Sequence, residues 1–117
     1  EIGYIHAEGY NATALKHGPY ALIEKYTPII VLCPNDEYYY NNRSTIEEIR
    51  SRDAFVITIT DVDDDNLFGN FLIKIPKNYT FRGLLSNLPM QLMAYELALS
   101  KGNDPDKPRH LAKCVTV

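Results

Sequence analysis

What this 117-residue chain has little of narrows its possibilities before anything it has in quantity. It carries only two cysteines, Cys33 and Cys114. They do not make a disulfide framework, and Cys33, in an apolar run, reads as a small core residue, so a reducing cytoplasm is the default compartment. No apolar stretch approaches the ~20 residues that a membrane-spanning helix needs, so no membrane partner is expected. Cations are not clustered widely enough for a nucleic-acid surface: the net charge is -3 and the pI about 5.5, whereas phosphate-backbone binding draws on many Lys and Arg side chains. There is no glycine-rich nucleotide loop and no Gly-x-Ser-x-Gly elbow, and His6, His17 and His110 lack the paired spacing of a zinc site. Neither a metal nor another cofactor is therefore expected. The run Asp61-Val62-Asp63-Asp64-Asp65 hints at a calcium loop, but Asn66 replaces the turn glycine and Leu72 the bidentate glutamate, which leaves an acidic loop. A Ser/Thr-rich loop able to cradle a phosphate at a helix N-terminus is missing as well.

What is present fits one globular domain at most, with 45% hydrophobic and 23% charged residues. The three sequons, starting at Asn11, Asn42 and Asn78, are short enough to arise by chance. The first residue is Glu1 rather than Met, so the chain reads as a piece of something longer. Three apolar runs stand out: Ile29-Ile30-Val31-Leu32-Cys33, Phe55-Val56-Ile57-Thr58-Ile59, and Phe71-Leu72-Ile73 continuing to Ile75. The first two are nearly continuous, the pattern of strands buried on both faces of a parallel sheet, with helices expected between them. The segment from Asp36 to Arg52 fits a crossover helix; Ser44-Thr45-Ile46-Glu47 matches a capping box, which is incidental if the helix already runs from Asp36. Glu1 to about Ala14 looks helical, with Ile2, Ile5 and Tyr10 toward one face. A short helix from Pro19 to Lys25 should follow the Gly18-Pro19 break. From Leu84 or Leu88 to Lys101 the spacing predicts a helix with Pro89 in its first turn or at a kink, Gly102 as its C′ residue, and Asn103-Asp104-Pro105 ending it. Two or three parallel strands are too few for a comfortable doubly wound sheet, so further strands are expected before Glu1.

The chemistry-bearing residues lie at the two ends. The tail sets Lys113 among Leu111, Ala112, Val115 and Val117, close to Arg109. Desolvation and a neighbouring cation would both favour the neutral amine that attacks a carbonyl, although a solvated tail lysine is the ordinary reading. His17, in Lys16-His17-Gly18-Pro19, sits beside a loop break where an imidazole can move a proton at neutral pH; most such histidines are merely solvated. Glu1 and Glu8 flank Ile2 to Ala7, and a carboxylate there could move a proton between adjacent sugar carbons or simply face water. The basic tail, with Lys107, Arg109 and Lys113, suits a small anionic ligand.

Three segments together carry a resemblance: Glu1-Ile2-Gly3-Tyr4-Ile5-His6-Ala7-Glu8; Leu15-Lys16-His17-Gly18-Pro19-Tyr20-Ala21-Leu22-Ile23; and Pro108-Arg109-His110-Leu111-Ala112-Lys113-Cys114-Val115-Thr116-Val117. With Pro89-Met90-Gln91-Leu92-Met93-Ala94-Tyr95 they resemble the C-terminal part of the glutamine:fructose-6-phosphate amidotransferases, the later part of the second sugar isomerase (SIS) subdomain. The resemblance implies an α/β fold, part of a three-layer sandwich on a mostly parallel sheet that is incomplete in residues 1–117, with 103–117 as a catalytic C-terminal tail. It implies that Lys113 forms a Schiff base with open-chain fructose 6-phosphate, that His17 helps open the sugar ring, reaching a neighbouring subunit's site, and that Glu1 moves a proton between C1 and C2. Ala112 matches a tail position whose backbone lies against the sugar. The implied partners are fructose 6-phosphate, glutamine through a glutaminase domain that these residues do not include, and a second copy in a homodimer.

The departures fall beside these groups. Thr13-Ala14 stands where the family usually has Gly-Glu, so a loop hydrogen bond is lost or rebuilt; His110 replaces asparagine and Cys114 replaces serine next to Lys113. The family's final glutamate has no counterpart after Val117. Two other readings stay open: a SIS sugar-phosphate deglycase or deaminase, which shares Lys16-His17-Gly18-Pro19, and a sugar-phosphate-binding regulatory module without turnover.

Overall fold

The computed structural model describes residues 1–64 and 69–110. They fall into two compact units, one within Gly9–Asn87 and the other made of Glu1–Glu8 with the described residues from Leu88 onward.

In the first unit the three apolar runs form three parallel strands in the order β1-β2-β3: β1 Pro28–Leu32, β2 Phe55–Thr60 and β3 Phe71–Lys74. The expected helix between the first two is α1, Tyr39–Arg50. Because α1 is already running at Ser44, the capping-box match is incidental; Thr45 and Ile46 are buried helix positions. Between β2 and β3 the described residues contain no helix, contrary to expectation, and the 61–70 connection is shorter than the dozen or more residues a helical crossover takes.

Register explains which side of the sheet is filled. Ile29 pairs with Val56 and Val31 with Thr58, and this face meets α1, where Val31, Val56, Tyr39, Ile46 and Ile49 form the core with Cys33 and Ala54. Fully burying an aliphatic side chain of this kind is worth ~1.5–3 kcal/mol, which is why α1 turns Ile46 and Ile49 inward. Cys33 is completely buried, as its apolar run implied, and burial pushes its thiol up to about 11. The opposite face is open only in part: the row Ile30, Ile57, Phe71 crosses the sheet with Ile30 and Phe71 44% and 59% exposed, whereas Ile59 in the next row is fully buried. An apolar face of this kind is what a sheet short of its companion elements shows.

At the carboxyl ends of the strands the acidic run has a different fate from the solvated loop its composition suggests. Asp61 is 4% exposed, accepts the Asn35 backbone N–H at 2.7 Å, and lies 3.6 Å from Arg82, whose guanidinium also approaches Asp36 at 3.9 Å. It thus ties the exit of β2 to the exit of β1. Asp63, by contrast, is solvated and pairs with Lys77 at 2.9 Å.

In the second unit the opening segment is not a helix. Tyr4 takes φ 48°, in the left-handed region that a tyrosine seldom occupies, and its N–H closes a turn on the Glu1 carbonyl at 3.2 Å. Gly3 and Gly9 within so short a stretch, with Ile5 half exposed, leave no apolar face to support a helix. Helix α2, Arg82–Ser100, whose first residues belong to the first unit, starts earlier than the spacing predicted, and Pro89 lies inside it rather than in its first turn. The predicted stop is as expected: Gly102, at φ 72°, donates to Leu99, and Asn103 donates to Ala98, each at 2.9 Å, a Schellman closure. Leu88, Leu92, Tyr95 and Leu99 lie along α2 at helical spacing and are exposed. No described helix is long and apolar enough to cross a membrane.

Candidate active site

His17 ends one 3-10 turn, Ala12–His17, and a second, Pro19–Leu22, begins just beyond it. The helix expected from Pro19 to Lys25 is this shorter, tighter turn. The first turn starts at Asn11, whose side-chain oxygen accepts the Thr13 N–H at 3.1 Å. Between the turns Gly18 adopts φ 150°, ψ -54°, a conformation that side-chain-bearing residues avoid, and Pro19 supplies the fixed φ that a first helical position favours. Leu15, Tyr20 and Ile23 pack on the core cluster, so the loop is pinned from below while His17 stays exposed, as its sequence context implied.

One carboxylate grips both sides of that histidine. Glu48, on α1, receives the Lys16 ammonium on Oε1 at 2.9 Å and the Tyr20 hydroxyl proton on Oε2 at 2.5 Å. Arg52, one turn further along, lays its guanidinium 4.2 Å from the Tyr20 ring centre. The Tyr20 bond and the Lys16 ion pair hold the Glu48 carboxyl below its ordinary value. Burial, and then the bond to Glu48, push the Tyr20 hydroxyl up to about 12. With Thr13-Ala14 in place of Gly-Glu, these are the bonds that hold the loop here.

In the other unit, Glu1 is exposed at the start of the Tyr4 turn. The carbonyls of that turn are taken up by residues at the end of α2: Lys101 Nζ donates to Gly3 at 2.7 Å, and Asn103 Nδ2 to Ile2 at 3.4 Å. Gly3 lies close enough to the helix that an added Cβ would stand 3.2 Å from Leu97 Cδ2. The entry to the tail is fastened to the same turn, because the Arg109 N–H donates to the Tyr4 hydroxyl at 2.8 Å and the Arg109 guanidinium lies 4.2 Å from the Tyr4 ring centre. Glu8 pairs with His6 at 3.1 Å. Lys113 and Ala112, the tail positions singled out from the sequence, lie outside the described residues, as do Cys114 and the apolar neighbours of Lys113.

The sequence reading passed over Glu48, the Tyr20 hydroxyl, Tyr4 and Lys101. Glu48 stands 28 residues from Tyr20 in the chain, and Lys101 is 98 from Gly3, so no local spacing could have paired them. The one available signal was at Tyr20, where a hydroxyl follows Lys-His-Gly-Pro.

Parallel strands joined by a helical crossover define an α/β domain. Comparison with known proteins narrows this: the chain belongs to the SIS domain family, which matches residues 1–101. Over its whole length it is 49% identical to an Acanthamoeba polyphaga mimivirus protein named probable glutamine-fructose-6-phosphate aminotransferase (isomerizing), and covers 19% of it. It is 43% identical to the Thermococcus kodakarensis glutamine-fructose-6-phosphate aminotransferase (isomerizing), of which it covers 20%. Among solved structures, the C-terminal domain of glucosamine-fructose-6-phosphate aminotransferase from Francisella tularensis superposes with a TM-score of 0.81 at 33% identity, over 91% of this chain and 31% of that one. The chain thus spans about a fifth of the length of the curated relatives it matches.

Proposed function

We propose that these residues are the C-terminal isomerase segment of a glucosamine-6-phosphate synthase, working in the cytoplasm within a longer, dimeric polypeptide whose glutaminase domain supplies ammonia. The observation that carries this reading is the match along the entire chain to proteins named glutamine-fructose-6-phosphate aminotransferase (isomerizing), from a virus and an archaeon alike. On this reading residues 103–117 are the catalytic tail, which belongs to a site whose phosphate-holding part lies elsewhere in the polypeptide.

The chemistry divides among three side chains. His17 serves ring opening: the bond from C2 to the ring oxygen breaks, that oxygen gains a proton and the C2 hydroxyl loses one. The Lys113 amine then adds to the C2 carbonyl and expels water, giving an imine that ammonia displaces to form fructosimine. Glu1 removes a proton from C1 and returns one to C2, while the C1 hydroxyl gives up its proton and the imine nitrogen gains one, which leaves an aldehyde at C1 and an amine at C2, glucosamine 6-phosphate. The Ala112 backbone lies against the sugar. The His17 loop supports its part in this scheme because it fixes Lys16 and Tyr20 while leaving the imidazole open to a ligand.

Treating the complete polypeptide with fructose 6-phosphate and borohydride tests the scheme. A reduced adduct is expected on Lys113, with no adduct and no synthesis in Lys113→Ala. An adduct elsewhere, or isomerisation that survives this substitution, overturns it. Product formation that needs no glutamine would instead indicate a deglycase, and tight binding of the unchanged sugar a regulatory module.

A further inference from the structure

We infer that Glu48 is a positioning residue for ring opening: by holding Lys16 with one carboxylate oxygen and Tyr20 with the other, it aims the imidazole of His17. This inference rests on the proposed role of His17 and adds the means by which that role is maintained.

Four observations carry it. Glu48 binds on both sides of His17, to the residue immediately before it and to the residue three after it, so the chain between the two anchors has little freedom. Both contacts are of the charge-assisted kind, an ammonium and a phenol donating to an ionised carboxylate, which are about twice as strong as neutral hydrogen bonds. The carboxylate itself cannot wander: its helix packs into the core through Ile46 and Ile49, either side of it, and Arg52 braces the Tyr20 ring from the next turn. Finally, Gly18 imposes no side-chain contact of its own, since an added Cβ would meet nothing within 4 Å, so packing at that residue does not set the loop's direction. The direction comes from the anchors.

A structural brace and a positioning brace differ in what they do to two sugars. Fructose 6-phosphate is mostly cyclic and must be opened before Lys113 can attack it. The analogue 5-deoxyfructose 6-phosphate has no C5 hydroxyl, cannot close a furanose ring, and presents its ketone directly. In the complete polypeptide, Glu48→Ala should slow borohydride trapping of fructose 6-phosphate about tenfold, part of the roughly 10²–10⁴-fold that a placed proton-transfer group supplies, and leave trapping of the 5-deoxy sugar unchanged. Tyr20→Phe, which keeps the ring under Arg52 and removes only the hydroxyl, should show the same selectivity to a smaller degree. Its thermal midpoint, measured alongside, guards against a folding defect. Equal slowing of both sugars, or of neither, in both variants overturns the inference while leaving the role of His17 standing. His17→Ala is the control: if it does not itself discriminate between the two sugars, the ring-opening assignment falls and takes the inference with it.

Discussion

The two regions that bear the candidate chemistry are built on opposite terms. The His17 loop is held by side chains meeting at one carboxylate, whereas the Glu1 turn is held by its backbone carbonyls, which receive donors from Lys101 and Asn103. A side-chain clamp depends on particular groups and their ionisation. A carbonyl tie depends on the shape of the chain and tolerates most changes in the residues that own the carbonyls. The first is open to tuning by single substitutions and by pH; the second is a scaffold.

The sharpest way to break the comparison is beneath the clamp. Ile49→Ala, in the fully buried core that carries Leu15, Tyr20 and Ile23, should cost about 2–5 kcal/mol in denaturant unfolding and loosen the His17 loop, with little effect on hydrogen exchange in the Glu1 turn. Exchange that rises equally in both regions would contradict their independence.

Next comes pH. The folded pKa of Glu48 is depressed, so its share of stability is complete above the unfolded carboxylate value of about 4.3 and is lost as pH falls through the folded value. The folded pKa of Tyr20 is raised to about 12, so its share is complete below the unfolded value of about 10 and is lost as pH climbs toward 12. The clamp therefore holds between these limits. Tyrosinate absorbance, compared with Tyr20→Phe, should show that Tyr20 ionises late; an ordinary midpoint for it would show that the Glu48 bond does not form in solution.

Smaller effects belong to the scaffold. Lys101→Met, which removes the donor to Gly3, should cost about 1 kcal/mol and speed exchange in residues 2–4. Tyr4→Phe should cost about as much or less, since the Arg109 N–H loses its acceptor while the ring contact persists; cleavage by trypsin after Arg109 reads this out directly. Gly3→Ala should come last, near ~0.5 kcal/mol, because Leu97 is a flexible side chain that can give by a few tenths of an ångström.

How much of this was legible in the sequence follows from the same contrast. The strands were plain because their runs of Ile, Val and Phe are unbroken, although only β2 is largely buried and β1 leaves one face exposed, and the end of α2 because Gly102 has few uses other than a left-handed cap. The opening segment misled because Ile2, Ile5 and Tyr10 have helical spacing, whereas Tyr4 at φ 48° and the neighbouring glycines make a turn. Asp61 misled because charge usually means solvent, and its burial depends on Asn35 and Arg82, which are distant in sequence. His17 could be found from its Gly-Pro neighbour. The carboxylate that binds Lys16 and Tyr20 on either side of it could not, since nothing in the order of residues says that α1 will turn Glu48 toward a loop 28 residues earlier.

Gly18 has one more consequence. Its backbone sits at φ 150° with open space where a Cβ would go, so a substitution there meets no wall and only a twist penalty. Such a penalty is relieved by rotation, and the group carried at the end of the lever is the imidazole. An alanine at this point would therefore act less as damage than as a mis-set dial: the domain stays folded, and the histidine points a few degrees off its mark.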